Sequence, residues 1–209
     1  MATALKEKTM DVPELTPRKY KENYGEFIGV GDNGNLWVED CDVAELVEEF
    51  GSPLFIISES QFRYTYRQFR DAFQKHYPGE SQILFANKSN NGLAYRHIMN
   101  QEGAGGDCFG VNEMYLSLLA GTDPSTLVLN GSNKQTEELE MAVANGLCIN
   151  IDAMDELDRI DAVCKKLGRD AKIGIRLKLD LEPLGLALDV VGLLLVVHVG
   201  VLSHVVDLV

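Results

Sequence analysis

The stretch that decides the fold is Ile83-Leu84-Phe85-Ala86-Asn87-Lys88-Ser89-Asn90, an apolar run that ends abruptly in a lysine and small polar residues. A run of this kind is typical of a buried β-strand, so it predicts that the Lys88 ammonium emerges where the strand ends. The carboxyl ends of strands are where α/β folds assemble their active sites. A lysine in that position is expected either to be paired with an anion or to do chemistry.

The same pattern, a short apolar run followed by a helical period, recurs on both sides of this stretch. The runs cover residues 54–57, 83–86, 103–109, 127–129, 148–151 and 173–177. Their starts are roughly 20 to 30 residues apart, which is the length of a strand plus a crossover helix. Runs that are apolar on both faces are typical of a parallel sheet covered on both sides. The repetition therefore predicts either a doubly wound sheet or an incomplete (β/α)8 barrel.

The segments between the runs carry helix signals of their own. Ser58 followed by Gln61 can form a capping box, and apolar aromatic residues then recur at intervals of three and four, namely Phe62, Tyr66, Phe69 and Phe73. Gly121, Gly146 and Gly168 stand where three helices are expected to stop. No GxGxxG motif follows the first run, so the sequence does not favour a dinucleotide-binding fold.

The formal net charge of the chain is -13, from 32 acidic and 19 basic residues. This excess of negative charge disfavours binding to a phosphate backbone or an anionic membrane surface, so we expect neither nucleic acid nor membrane as a partner.

The four cysteines are far apart and form no CxxC pair, which predicts reduced thiols in the cytoplasm or an organelle lumen. Cys108 and Cys148 are expected to fill core space. We expect residues 1–35 to form a flexible amino-terminal arm without a secretory signal.

Several motifs together resemble the fold-type III pyridoxal-phosphate decarboxylases, with the diaminopimelate decarboxylases as the nearest branch and the ornithine/arginine decarboxylases as more distant relatives. The similar segments follow one another in unbroken order, at residues 51–55, 85–90, 103–107, 130–134 and 150–152. An ordered set is a far more specific signal than a single motif. The resemblance implies a barrel of the alanine-racemase type, a pyridoxal 5'-phosphate cofactor, a small-molecule amino acid as substrate and a homodimer.

The resemblance also implies a role for Lys88. The YAVKAN-type motif of the family falls on residues 85–90 and places its lysine, which holds the cofactor as a Schiff base, on Lys88. An amine attacks an aldehyde only when it is unprotonated, and we expect partial burial beside the strand end to favour that form. The alternative is a surface lysine that merely ends a strand.

Two acids and an arginine complete the site that the resemblance implies. Asp107 and Glu113 match the family segment Asp-x-x-(Ser/Gly)-x-x-Glu, whose acids line the cofactor pocket. The structural alternatives are that Glu113 complements a helix amino terminus and that Asp107 caps a turn. Arg176 aligns with an arginine of a barrel strand, and it is expected either to be catalytic or to pair with Asp107, Glu113 or Asp152. The loop at 130–134 is expected to be scaffolding near the site.

The carboxyl-terminal tail, residues 184–209, departs from the family. It consists mostly of leucine and valine and has no lysine or arginine, and its valines favour a strand. The uninterrupted apolar run at 190–197 is too short to span a membrane. His198-Val199-Gly200 resembles the HxGS segment whose histidine stacks on the cofactor in the family, and the alternative is an ordinary strand histidine.

We therefore expect an α/β chain with a partial (β/α)8 TIM barrel of the alanine-racemase type at residues 36–183, with the second β domain of the family largely missing. The expected function is pyridoxal-phosphate-dependent decarboxylation of an amino acid, from meso-diaminopimelate to L-lysine, in an apparently truncated chain. Two alternatives stay open. One is a non-catalytic or regulatory paralogue or fragment of the same fold, and the other is a pyridoxal-phosphate carrier protein.

Overall fold

The computed structural model describes residues 14–176 and the backbone of residues 199–202. The chain falls into two compact units, one up to Ser81 and one from Gln82 onward. Each unit has its own sheet, so each is described by itself.

The first unit is built on a small antiparallel sheet. Its strands are β1 (Glu22–Asn23), β2 (Ile28–Val30), β3 (Leu36–Val38) and β4 (Cys41–Asp42), which pair in that order, and helices α1 (Val43–Phe50) and α2 (Glu59–His76) follow. The Ser58 hydroxyl caps α2 by accepting the Gln61 N–H at 2.9 Å. The Gln61 side chain donates to Thr65 at 3.1 Å, so the structure shows the Ser58 half of the predicted capping box.

Two sequence predictions differ from the structure of this unit. Residues 1–35 were expected to form a flexible arm, yet part of this range holds β1 and β2, where Phe27 is buried and packs edge-on against Tyr64 at 5.8 Å between ring centroids. Residues 54–57 were expected to form a strand, yet they have no strand structure and Phe55 is 94% exposed. An apolar run becomes a strand only where a partner strand completes its hydrogen bonds, and that partner is chosen by tertiary packing.

The second unit contains five of the six predicted strands as one parallel sheet. They are β5 (Leu84–Ala86), β6 (Gly105–Cys108), β7 (Leu127–Leu129), β8 (Cys148–Ile151) and β9 (Ala171–Ile175). The helices between them are α3 (Leu93–Gln101), α4 (Val111–Leu119), α5 (Thr136–Asn145) and α6 (Glu156–Leu167). A further strand, β10 (Val199–Leu202), pairs antiparallel with β9, which confirms that the valine-rich tail forms a strand at this point.

The order of these strands settles which α/β fold is present. The sheet runs β10-β9-β8-β7-β6-β5, so β5 to β9 lie side by side in the order of the chain. A doubly wound sheet reverses its strand order at a switch point, whereas a barrel adds each strand beside the previous one. The arrangement is therefore a partial (β/α)8 barrel, as predicted.

The core of the second unit lies between the sheet and its helices. Alternate strand residues point into it, among them Leu127, Leu129, Ile149 and Ile151, and they pack on apolar residues of α4, α5 and α6. Cys108 is fully buried there, and burial raises the pKa of its thiol to about 11. Cys108 and Cys148 are both buried, which confirms the prediction that they fill core space.

The described residues also show whether the chain forms disulfides, metal clusters or membrane-spanning helices there. All four cysteines lie within them and are free, so no disulfide forms. No cluster of three or more metal-ligating side chains occurs in this part of the chain. None of the helices in the described ranges is both long enough and apolar enough to cross a membrane.

Candidate active site at the carboxyl edge of the parallel sheet

One face of the parallel sheet carries polar side chains towards its carboxyl edge. In the strand register, Ala86 of β5 pairs with Asp107 of β6, and Asp107 pairs with Val128 of β7. Further along the same sheet, Asn150 of β8 pairs with Gly174 of β9. Because side chains alternate along a strand, these residues point away from the helix-facing core. This face corresponds to the interior of the barrel, and barrel proteins place their sites at the carboxyl ends of the strands.

Lys88 lies directly after β5, in a single 3-10 turn over Asn87–Ser89. The Ser89 hydroxyl donates to the Ala86 carbonyl at 2.7 Å and holds the turn. The Lys88 ammonium lies 4.2 Å from the centroid of the Phe109 ring, and it forms no ion pair with the described residues. The side chain is exposed, so the expected burial is absent. The amine is thus open to reagents from solvent while one side of it rests on an aromatic ring.

Asp107 is the acid that the structure brings within electrostatic reach of Lys88. It lies in β6, and its Oδ1 accepts a hydrogen bond from Asn130 Nδ2 at 3.0 Å. Burial raises the pKa of Asp107 above its ordinary value, while the Asn130 hydrogen bond and the positive charges of Lys88 and Arg176 lower it. Asp107 therefore caps no turn and shares an electrostatic environment with both cations.

Glu113 lies at the amino terminus of a helix, as one of its two predicted roles requires. It lies in the first turn of α4, where its Oε2 accepts the Phe109 N–H at 2.8 Å. A carboxylate at this position also complements the positive end of the helix dipole. Glu113 therefore fixes the loop that carries Phe109, the ring on which the Lys88 amine rests.

Arg176 follows β9 and pairs with Asp152, one of its three predicted partners. The distance between Arg176 Nη1 and Asp152 Oδ1 is 3.3 Å, and the Arg176 side chain is 46% exposed. An exposed pair of this kind contributes at most about 1 kcal/mol to stability. His198, the remaining predicted site residue, lies outside the described residues.

Beside this edge lies a buried ion pair that the sequence prediction missed. Lys134 and Glu156 are each 1% exposed, and Lys134 Nζ donates to Glu156 Oε2 at 2.9 Å and to the Gly131 carbonyl at 2.6 Å. Glu156 Oε2 also accepts the Asp152 N–H at 3.0 Å. The pair joins the loop after β7, which carries Asn130, to the loop after β8, which carries Asp152. No spacing in the sequence relates Lys134 to Glu156, so only the fold could pair them.

Asn150 was also missed as a site residue, although an amide within an apolar run is a detectable signal. It is an amide within the otherwise apolar strand β8, it is 1% exposed, and its Nδ2 and Oδ1 have no hydrogen-bond partner among the described residues. A buried amide without partners costs free energy. Because Asn150 points to the same face as Asp107, a polar ligand at this edge would satisfy it.

The fold and the site together define a class of protein. A parallel barrel sheet that presents an accessible amine beside a carboxylate at its carboxyl edge suits a protein that holds a carbonyl compound through a lysine. Comparison with known proteins identifies the family within that class.

The family model for the pyridoxal-binding domain of pyridoxal-dependent decarboxylases matches residues 60–188. The diaminopimelate decarboxylase of Methanothermobacter thermautotrophicus is 34% identical over 157 residues, which cover 75% of this chain and 35% of that protein. The enzyme of that name from Synechocystis is 35% identical over 161 residues, which cover 73% and 34%. The chain belongs to the pyridoxal-dependent decarboxylase family.

Solved structures agree with this assignment. The diaminopimelate decarboxylase of M. jannaschii matches with a TM-score of 0.72 at 27% identity, over 76% of this chain and 38% of that one. The structure of that enzyme in complex with L-lysine matches with a TM-score of 0.68 at 29% identity, over 71% and 35%. The chain spans about a third of the length of the curated relatives it matches.

The residues present at this edge fit the aldehyde end of pyridoxal phosphate. Lys88 supplies an accessible amine, Asp107 supplies a carboxylate beside it, and Asn150 supplies a buried amide whose donor and acceptor are both unused among the described residues. An aldehyde, a phenolic oxygen and a ring nitrogen are groups that such side chains bind. The fit therefore supports this cofactor on the strength of the donor set alone.

The raised pKa of Asp107 predicts how stability depends on pH. The folded state binds the proton more tightly than the unfolded state, so stability falls as pH rises from about 3.9, the ordinary pKa, through the raised value. Asp107→Asn removes this titration. The variant should therefore gain stability relative to the unmodified protein between pH 4 and neutral pH, as measured by urea unfolding at a series of pH values.

A control for this experiment is Asp170→Asn, which removes an exposed carboxylate far along the chain from the site. It is expected to leave the pH dependence of unfolding unchanged. If Asp107→Asn instead lost stability steadily as pH rose, the cations would outweigh burial and the argument would be wrong.

Proposed function

We propose that this chain takes part in pyridoxal-phosphate-dependent decarboxylation of an amino acid, with meso-diaminopimelate as substrate and L-lysine as product. The single observation that carries the proposal is the accessible Lys88 amine at the carboxyl end of β5, beside Asp107. The names of the relatives support the substrate, and the complex of the M. jannaschii enzyme with L-lysine supports an amino acid as the ligand.

Each residue at the edge has a distinct part in this proposal. Lys88 holds the cofactor through its amine, and its contact with Phe109 keeps that amine at the sheet edge when the cofactor is absent. Asp107, oriented by Asn130, supplies a negative charge that holds the nitrogen of Lys88 in place. When bound, pyridoxal phosphate supplies a ring that accepts the electrons left behind as carbon dioxide departs.

Arg176 and Asn150 are proposed to hold the bound ligand and to take no part in the reaction itself. Arg176 remains partly exposed in its pair with Asp152, so one side of its guanidinium can meet a substrate carboxylate. Asn150 can both donate to and accept from a bound ligand. His198 keeps its proposed stacking role on the basis of the sequence resemblance.

A second candidate function is cofactor binding without turnover. The observation in its favour is that the Lys88 amine is exposed, because an accessible amine is enough to attach the cofactor without any group that promotes loss of carbon dioxide. A non-catalytic paralogue, a fragment or a carrier would use Lys88 in the same way and release no carbon dioxide.

The experiment adds pyridoxal phosphate to the full chain and records the absorbance band that appears when the cofactor joins an amine. Borohydride reduction followed by peptide mass spectrometry then identifies the modified lysine. We expect modification at Lys88, loss of the band in Lys88→Ala, and an unchanged band in Lys172→Ala, which removes an exposed lysine of the same sheet.

Release of carbon dioxide from meso-diaminopimelate separates the two functions. Release that requires Lys88 supports decarboxylation, and a Lys88-dependent band without release supports binding alone. A band that persists in Lys88→Ala contradicts both, since the cofactor would then be attached elsewhere.

A further inference from the structure

A buried polar network lies next to Lys88 in the same turn. Its centre is Asn87, which is 2% exposed although it neighbours the exposed Lys88 in the same turn. Asn87 Nδ2 donates to the Ser117 hydroxyl at 2.8 Å and lies 3.2 Å from Cys108 Sγ. Asn87 Oδ1 accepts from Arg96 Nη1 at 3.2 Å.

The network ties the turn to several elements at once. Arg96, on α3, is 3% exposed and also donates to the carbonyls of Gly105 at 3.0 Å and Ala104 at 2.9 Å. Ser117, on α4, is fully buried. Asn87 is therefore held simultaneously by α3, α4 and β6. Buried polar groups that satisfy one another in this way rigidify the backbone that carries them.

Asn87 departs from the family motif at this position. In the YAVKAN-type motif the residue before the lysine is valine, whereas here it is Asn87. A valine would fill the same space by packing alone. An amide also fixes the orientation of its side chain, because its hydrogen bonds require particular angles.

We propose that Asn87 is a positioning residue for Lys88, and this inference rests on the proposed role of Lys88 as the cofactor-binding amine. In the short turn over Asn87–Ser89, the buried Asn87 side chain contacts Ser117 on α4, whereas the exposed Lys88 side chain lies over the Phe109 ring, so the two leave the turn in different directions. Anchoring Asn87 on the helix side therefore sets the direction in which Lys88 projects, towards Phe109 and the edge that holds Asp107. Without the anchor the turn rotates more freely and the amine spends less time at that edge.

The test measures the position of Lys88 in two ways that do not depend on catalysis. The first is the rate at which a small acylating reagent labels Lys88, divided by the rate for Lys172 in the same molecule and read by mass spectrometry. The second is the concentration of pyridoxal phosphate needed for half-maximal absorbance of the attached cofactor. Both are recorded under conditions where unfolding measurements show the protein to be folded.

Asn87→Ala removes the bonds to both Ser117 and Arg96, and it is expected to raise the labelling ratio about threefold and to weaken cofactor attachment about tenfold. Ser117→Ala removes one bond of the network and should change both readouts in the same direction by a smaller factor, so it serves if Asn87→Ala does not fold. Asn87→Asp keeps an acceptor for Arg96 and Ser117, and it should restore both readouts to within about twofold of the original.

Val143→Ala is the matched control, because it destabilises the core of α5 without touching the network. It should leave both readouts unchanged. If Asn87→Ala and Ser117→Ala behaved like Val143→Ala while Lys88→Ala still lost attachment, the positioning role would be overturned and the proposed function would stand. If Lys88→Ala kept attachment, the proposed function would fail, and the labelling ratio would still report whether Asn87 directs Lys88.

Discussion

Replacing Glu156 with alanine is expected to lower the free energy of unfolding by about 3 to 5 kcal/mol, because it strands the Lys134 ammonium in the interior. Lys134 is 1% exposed, and its remaining partner is the Gly131 carbonyl. The substitution also leaves the Asp152 N–H without its acceptor. The loops that carry Asn130 and Asp152 should loosen together, so cofactor attachment at Lys88 should weaken as well.

Urea unfolding at neutral pH measures this loss, and Lys134→Met provides the reciprocal variant. The double variant Lys134→Met/Glu156→Leu removes both charges, so it should lose much less than the sum of the two single variants. It still leaves the Gly131 carbonyl and the Asp152 N–H unpaired, so we expect a residual cost of about 1 to 3 kcal/mol for each. Additive losses would show that the two side chains do not act as a pair.

The pH dependence of unfolding gives an independent reading of the pair. Burial acts to raise the pKa of Glu156, but the hydrogen bonds from the Asp152 N–H and Lys134 outweigh it and lower the pKa below its usual value. The stability contributed by this carboxylate is therefore present above its ordinary pKa and is lost as pH falls through the lowered one. Lys134→Met should weaken this loss at acid pH.

The second large effect is expected from Gly105→Ala, which should destabilise the second unit by about 3 kcal/mol or more. A Cβ at this position would lie 2.3 Å from the Thr126 carbonyl oxygen and 2.4 Å from Leu84 Cδ2. The first of these atoms belongs to backbone, so it cannot move aside without displacing the start of β7. The substitution therefore pushes β5, β6 and β7 apart where they pair most closely.

Gly110→Ala is the matched control. Its Cβ would meet only the Glu138 Oε1 atom, at 3.3 Å, and its backbone is extended, so we expect a change within about 0.5 kcal/mol. Unfolding measured by circular dichroism in urea compares the two variants. A Gly105→Ala variant as stable as Gly110→Ala would mean that the sheet relaxes around the added methyl group.

The predictions that held depend on local signals. The runs that became β5 to β9 alternate with helices whose stops at Gly146 and Gly168 adopt the left-handed conformation that a helix end requires. The family match confirms the resemblance that the ordered motifs indicated. Burial of Cys108 and Cys148 also followed from their residue type.

The predictions that failed depend on contacts between distant parts of the chain. Residues 54–57 are as apolar as the strands, but no strand of the described residues pairs with them. The expected burial of Lys88 also failed, because its ammonium lies over the Phe109 ring and stays exposed. Such details are fixed by packing, which a pattern of residue types does not encode locally.

The sequence by itself determined that a lysine ends a buried strand in a chain of alternating strands and helices, because hydrophobic periodicity and strand-end polarity are written in neighbouring residues. Only the tertiary structure decided that Asp107 lies in the electrostatic reach of Lys88, that Arg176 selects Asp152, and that Lys134 meets Glu156 in the interior. The physical reason is the strand order: parallel pairing brings the ends of distant segments to one edge, and desolvation there decides which charges must find partners.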